Sequence, residues 1–443
     1  MPRSPSLPVR GALVALSHAP DDGIVLHSSR PGAALLEGWS DEGTWRMLLP
    51  WPEETRALPW DRAAEWRAFV NELERDNDGD RLTQSGAPFL GGWVGFVAYE
   101  AAACEEAAIP RTAPPPEPAA FFARHRAGIV VDPEGRAFLF GTPPSEWLRE
   151  TPSQQAATPF VREADETPGR LLVADSLGGG AYARAVERIR EAIRDGDVYQ
   201  VNLTRSFSVD AACDPAALYR TLTAPRAPRS SAFLCGDGWT IVSASPEVLL
   251  RFDRRTGVAE SRPIKGTVRR NGDDAAEIAA LLASKKDASE HLMIVDVVRN
   301  DFGKIAPPGA VSVPAFRNVR TLEHLHHLES TVRATGLRDV AVSDILAALS
   351  PAASITGAPK RAAVQMIGEI EPEPRGVYCG SIGFLDVRGH AELSVAIRTA
   401  VVTDRSVRYH AGGGIVWDSN ATAEDDESRA KSAAFFKFLE GAS

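Results

Sequence analysis

What most limits the folds open to this chain is the order of its periodic segments, which never settles into strict strand–helix alternation. Short apolar runs between glycines and prolines come first: Gly23–Leu26, Trp45–Leu49 and Gly128–Val131. Runs bounded in this way read as strands. A helix is expected from Trp60 to about Glu74, where Trp66, Phe69, Val70 and Leu73 share a face. Gly91–Glu100 follows, with glycines that permit a close-packed strand entry. From Ala181 the period becomes helical, with Tyr182, Val186, Ile189 and Ile193 aligned and Asp195-Gly196-Asp197 as the stop. Tyr199–Thr204 reads as a strand, and Asp274 to about Arg299 as helix in one piece or two. Later strands are expected at Gly380–Leu385, Leu393–Val402 and Val407–His410, before a last helix over Ala423–Leu439. That order predicts an α+β fold on largely antiparallel sheets.

Two proline-rich patches, Pro110–Pro118 and Thr142–Pro168, interrupt the first part of the chain. The second lacks periodicity and reads as a linker. It divides the chain into a β-rich region over 1–168 and a second domain over 169–443. The formal charge of -10 argues against nucleic-acid binding and requires any anionic ligand to be captured locally. Cys104, Cys213, Cys235 and Cys379 form neither a CxxC pair nor a zinc spacing, so reduced thiols are expected. Met1–Arg10 has no long apolar core, and no membrane-spanning run occurs, which makes a cytoplasmic location the expectation.

Lys265 stands in Arg262-Pro263-Ile264-Lys265-Gly266-Thr267, between an apolar residue and a turn. An apolar, turn-locked lysine would carry a lowered pKa and act as a nucleophile. A surface lysine in a hairpin is the plainer alternative. Two helical segments carry acidic pairs one turn apart, Asp287 with Glu290 and Glu424 with Glu427, the latter followed by Lys431. Magnesium takes one or two carboxylates together with waters and substrate oxygens. Any one such pair alone is an ordinary solvated helix face.

The stretches Arg262–Thr267, Met293–Asp301, Ser354–Lys360, Arg375–Gly380 and Gly412–Val416, together and in this order, make the chain resemble the chorismate-utilising enzymes. The likeness is dense over about 180–440 and thin over the first 150 residues. It implies a sandwich of large, mostly antiparallel sheets with helices packed outside. The family includes component I of anthranilate synthase and of aminodeoxychorismate synthase, besides isochorismate and salicylate synthases.

The resemblance assigns roles residue by residue. Gln200 stands where water-using members carry a base lysine, which implies ammonia as the nucleophile. Lys265 stands where anthranilate synthases carry alanine and aminodeoxychorismate synthases a lysine. It implies attack at ring C2 with loss of the C4 hydroxyl, then ammonia at C4, giving 4-amino-4-deoxychorismate for 4-aminobenzoate and folate. Glu247 matches the general acid, and His327 a histidine beside the ring. Glu290 and Glu427 match magnesium ligands, with Asp287 and Glu424 as outer partners and Lys431 as a further cation. Arg398 and Tyr378 match a grip on the enolpyruvyl carboxylate, Gly413 and Gly414 offer backbone N–H groups to an anion, and Ser354 matches a hydroxyl near the substrate.

Departures are few. Ser419-Asn420-Ala421-Thr422 replaces the family's Ser-Asp-Pro-Glu before the last helix. Leu35-Leu36-Glu37-Gly38 is an incomplete form of the tryptophan-feedback element, so no tryptophan inhibition is expected. No cysteine sits in a Gly-x-Cys-x-Gly turn, which implies a separate glutamine amidotransferase subunit as the ammonia source. Anthranilate synthase component I is the rival enzyme, and a non-catalytic chorismate-binding or scaffolding subunit the rival of another class.

Overall fold

A computed structural model describes residues 13–41, 43–77, 86–107, 114–145, 172–224, 227–321 and 325–441. The terminal stretch Met1–Arg10, most of the expected linker and part of the first proline-rich patch lie outside the described residues.

Among the described residues, two large antiparallel sheets, of twelve and ten strands, form the body. Between them Val94, Phe96, Phe121, Trp239, Ile241, Ile382 and Phe384 interleave as one buried cluster, with Phe121 and Trp239 edge to face at 5.1 Å. Fully burying such a side chain is worth about 1.5–3 kcal/mol, so this layer welds the sheets. Helices cover the outer faces. Phe435 and Phe438 of Ala433–Gly441 and Leu218 of Pro215–Thr223 pack on the twelve-stranded sheet, and Ile294 and Val298 of Lys285–Gly303 belong to the cluster on the ten-stranded one. The expected α+β sandwich with helices outside is the observed architecture.

Segments on either side of residue 168 share both sheets. Ala34–Gly38 pairs with Ser230–Cys235, and Gly92–Val97 pairs with Ser381–Asp386. The division drawn in sequence therefore does not separate two hydrogen-bonded units. Local periodicity reports that a segment is a strand, not which strand it joins.

The helix expected from Trp60 is a 3-10 turn over Trp60–Glu65 running into Trp66–Arg75. Ala181–Asp195 ends at Gly196, which takes φ 87° as the stop. The long helix is two, Asp274–Ala283 and Lys285–Gly303, divided at Ser284, whose hydroxyl accepts from Asp287 N at 3.2 Å and caps the second. The last is also two, Ala421–Lys431 and Ala433–Gly441. Gly23–Leu26 is one helical turn instead of a strand, because Asp21 accepts from Gly23 N and offers the backbone a turn.

Leu393–Val402, read as one strand, is His390–Val395 and Thr399–Thr403 in different sheets. The chain crosses between sheets at 396–398, where Arg398 takes φ 51°. A second crossing runs through Pro246-Glu247, from Trp239–Ser245 to Val248–Asp253. The two crossings are bonded together: Val395 N donates to Glu247 O and Ala244 N to Arg398 O, each at 3.1 Å. Two expected site residues thus occupy one corner of the sandwich.

Candidate active site

Ile264–Arg269 pairs with Leu325–Ala334, but the register slips between Ile264 and Thr267. A bulge re-aims a side chain, and Gly266, at φ 87°, supplies the conformation this one needs. Lys265 is the residue re-aimed. Its Nζ lies 2.7 Å from Glu290 Oε2 on Lys285–Gly303, with the side chain 19% exposed. An amine held uncharged by an apolar wall was expected; the structure instead ion-pairs it, because the facing helix presents a carboxylate. His291, the next residue on that helix, fixes the seam, with Nδ1 3.1 Å from Lys265 O and Nε2 2.6 Å from Ser330 Oγ.

Across the gap, Gln200–Val209 pairs with Val407–Ile415, setting Asn202 opposite Gly414 and Leu203 opposite Gly413. A Cβ on Gly414 would lie 2.8 Å from Lys265 Nζ and 3.1 Å from Gln200 Nε2. A Cβ on Gly413 would lie 3.3 Å from Glu424 Oε2. These glycines let backbone face the functional groups directly. Gln200 is fully buried, and neither end of its amide has a hydrogen-bond partner. Orphaned buried polar atoms need an explanation, and a bound ligand supplies one.

Three carboxylates converge beside Lys265. Glu290 is 92% buried by its side chain's 8% exposure, and its Oε1 has no hydrogen-bond partner. Glu424 is buried and accepts from Ser419 Oγ at 2.7 Å. Glu427 is exposed at the rim and pairs with Lys431 at 2.8 Å, while Lys431 also donates to Gly412 O at 2.9 Å. Partial desolvation raises the Glu427 carboxyl, but Lys431, Lys265 and Lys286 bring it below its ordinary range. Asp287 sits half-buried against Gly266, where a Cβ on that glycine would stand 3.3 Å from its Cγ. An oxygen-only donor set with one orphaned buried oxygen fits a hard divalent cation such as magnesium. Another group, Asp274, Glu277 and His326, brings ligand atoms within 4.8 Å of one another, but Arg270 already holds both oxygens of Asp274.

Glu247 is buried at its crossing, and Ser354 Oγ donates to its Oε1 at 2.6 Å. Burial pushes the carboxyl up to about 7; the Ser354 hydrogen bond and the Lys265 charge oppose that without cancelling it. The apolar side chains of Leu249, Val298, Leu349 and Val395 wall the small cavity beside it, which accounts for the desolvation. His327 pairs across the sheet with Thr267 and Arg320. Burial, then the charges of Arg320, Arg398 and Arg229, brings the imidazole down to about 4, so it is neutral near pH 7. Its buried Nε2 has no partner. Tyr378 is buried with its ring stacked on His410 at 5.1 Å, and Cys379 N bonds Ala396 O at 2.8 Å, which ties Tyr378 to the crossing that carries exposed Arg398.

Three motif residues proved structural. Asp301 and Lys360 meet as a buried ion pair at 2.7 Å, and buried Arg375 bridges Glu371, Ile355 O and Asn202 O. Sequence reading passed over Lys286, whose Nζ is 3.9 Å from Glu290 and 3.8 Å from Glu424. Its place one turn before Glu290 was the available signal.

Residues 40–437 match the model of the chorismate binding enzymes. An aminodeoxychorismate synthase of Streptomyces pristinaespiralis is 36% identical over 380 residues, 82% of this chain and 52% of the relative, so the chain spans about half that protein's length. Anthranilate synthase component 1 1 of Halobacterium salinarum is also 36% identical, over 77% of this chain and 68% of its own. Aminodeoxychorismate synthase component 1 of Salmonella typhimurium is 39% identical over 60% of each. Among solved structures, anthranilate synthase component I from Streptococcus pneumoniae superposes with a TM-score of 0.71 at 26% identity, covering 97% of this chain and 93% of that one. The menaquinone-specific isochorismate synthase of Escherichia coli, at 19% identity and a TM-score of 0.70 over 98% of this chain and 96% of its own, shares the fold.

Proposed function

This chain belongs to the chorismate-binding enzymes, and from that premise we propose that it aminates chorismate as component I of an aminodeoxychorismate synthase. The observation that carries the reading is the position of Lys265 Nζ, turned inward against Glu290, with the backbone of Gly414 and the unpartnered amide of Gln200 beside it.

The free amine is the attacking form, so the ion pair with Glu290 opens before the step. The amine then bonds to ring C2, the double bonds shift, and the C4–O bond breaks. Glu247, protonated up to about pH 7, hands its proton to the departing hydroxyl, which leaves as water. Ammonia next bonds to C4, the double bonds shift back, and the lysine departs from C2. Gln200 cannot take a proton from water, which favours ammonia over hydrolysis. Arg398 and Tyr378 would hold the enolpyruvyl carboxylate, Gly413 and Gly414 would offer N–H groups, and neutral His327 would stand beside the ring. A magnesium ion held by Glu290 and Glu427, with Glu424 and Asp287 behind them, would offset the ring carboxylate's charge. Ammonia would come from a glutamine amidotransferase subunit in the cytoplasm, and the product would feed 4-aminobenzoate and folate synthesis.

Anthranilate synthase component I is the second reading, favoured by relatives of equal identity. Product analysis from chorismate, magnesium and ammonium separates the two. 4-Amino-4-deoxychorismate is expected; fluorescent anthranilate formed without an added lyase would overturn the assignment.

A further inference from the structure

We propose that Lys286 is a built-in competitor for the divalent cation, its ammonium standing between Glu290 and Glu424 until a metal enters. The inference rests on the metal reading of these carboxylates. It concerns a residue that reading leaves unused.

Lys286 Nζ is almost equidistant from Glu290 Oε1, at 3.9 Å, and Glu424 Oε1, at 3.8 Å. Both distances exceed hydrogen-bond length, so the ammonium neutralises the pair without satisfying either oxygen. Glu290 Oε1 is accordingly the buried oxygen with no hydrogen-bond partner, although Oε2 of the same carboxylate is 2.7 Å from Lys265. The carboxylates belong to separate helices, Lys285–Gly303 and Ala421–Lys431, and Lys286 is a cation that reaches both.

The three lysines around this cluster differ in how easily they can leave. Lys265 is 19% exposed and hydrogen-bonded to Glu290 from the bulge. Lys431 is tied to both Glu427 and Gly412 O. Lys286 is 53% exposed, lies one helical turn before Glu290, and among the described residues its ion-pair contacts within 4 Å are the two long ones. A flexible four-carbon stem lets its ammonium swing into water while the backbone stays still. Glu424 has no such freedom, because Ser419 holds it. The arrangement is a position filled by a weakly held charge with an open way out, beside an acceptor waiting for a closer partner.

Removing that charge should tighten metal binding, by roughly threefold to tenfold on the scale of partly exposed ion pairs. The test is titration of the full chain with Mn²⁺, without chorismate, reading free Mn²⁺ by electron paramagnetic resonance. Lys286→Met should bind Mn²⁺ more tightly than wild type, and Lys286→Arg should restore the wild-type affinity. Lys285→Met makes the same change in net charge one residue away and should shift affinity by less than about twofold. If wild type binds Mn²⁺ and Glu290→Gln loses it, yet Lys286→Met binds no better, the metal reading stands and the competitor is overturned. If neither wild type nor Lys286→Met binds Mn²⁺, both fall.

Discussion

Lys265 and Glu290 stand 2.7 Å apart, joining the bulged strand Ile264–Arg269 to the helix Lys285–Gly303. One residue is the proposed nucleophile and the other a proposed metal ligand, so the two functions share a contact. A change at either is felt by both.

The buried Glu247 carboxyl sets a pH dependence. As a general acid it acts while protonated, so kcat should fall as pH rises through about 7. Ser354 donates to the ionised form and opposes the upward shift, so Ser354→Ala should move that limb to higher pH. Glu247→Gln should lower kcat by about 10²–10⁴ and remove the limb. A pH–rate profile of the three proteins checks the assignment.

Gly414 separates function from stability. A Cβ there would lie 2.8 Å from Lys265 Nζ and 3.1 Å from Gln200 Nε2, both at the ends of side chains that can shift. Gly414→Ala should therefore keep its thermal midpoint within a few degrees while losing most activity. A collapse in stability with activity per folded molecule unchanged would place the amine elsewhere.

How far the sequence alone reached depended on whether a signal was local. The stop at Gly196 and the turn-prone Gly266 beside Lys265 are written in adjacent residues, and the ordered motifs pointed to the family. That Gly266 sits in a bulge within a strand, and that the long helix divides at Ser284, came from the structure. The joining of Glu247 and Arg398 was not legible. They lie at two crossings between sheets, and alternation along Leu393–Val402 does not say that the strand changes sheet halfway. Nor did an apolar flank on Lys265 foretell a carboxylate arriving from a distant helix.

The buried pair of Asp301 and Lys360 should matter for folding and not for chemistry. Both side chains are nearly inaccessible, and removing one partner strands a charge. Asp301→Ala should destabilise the protein by about 3–5 kcal/mol in urea unfolding. A loss below about 1 kcal/mol would mean that solvent reaches Lys360.

Magnesium should be required, and through Glu290. Glu290→Gln removes a charge from the proposed metal position and the partner of Lys265, so the Mg²⁺ needed for half-maximal rate should rise at least about tenfold. An unchanged magnesium dependence would remove Glu290 from the ligand set.

The most direct test of lysine catalysis is intact mass spectrometry of the protein mixed with chorismate and magnesium but no ammonia. The account predicts a species heavier by chorismate less one water in the wild type, absent in Lys265→Ala and discharged when ammonium is added. No adduct in the wild type under turnover-competent conditions, together with an undiminished rate in Lys265→Ala, would contradict it.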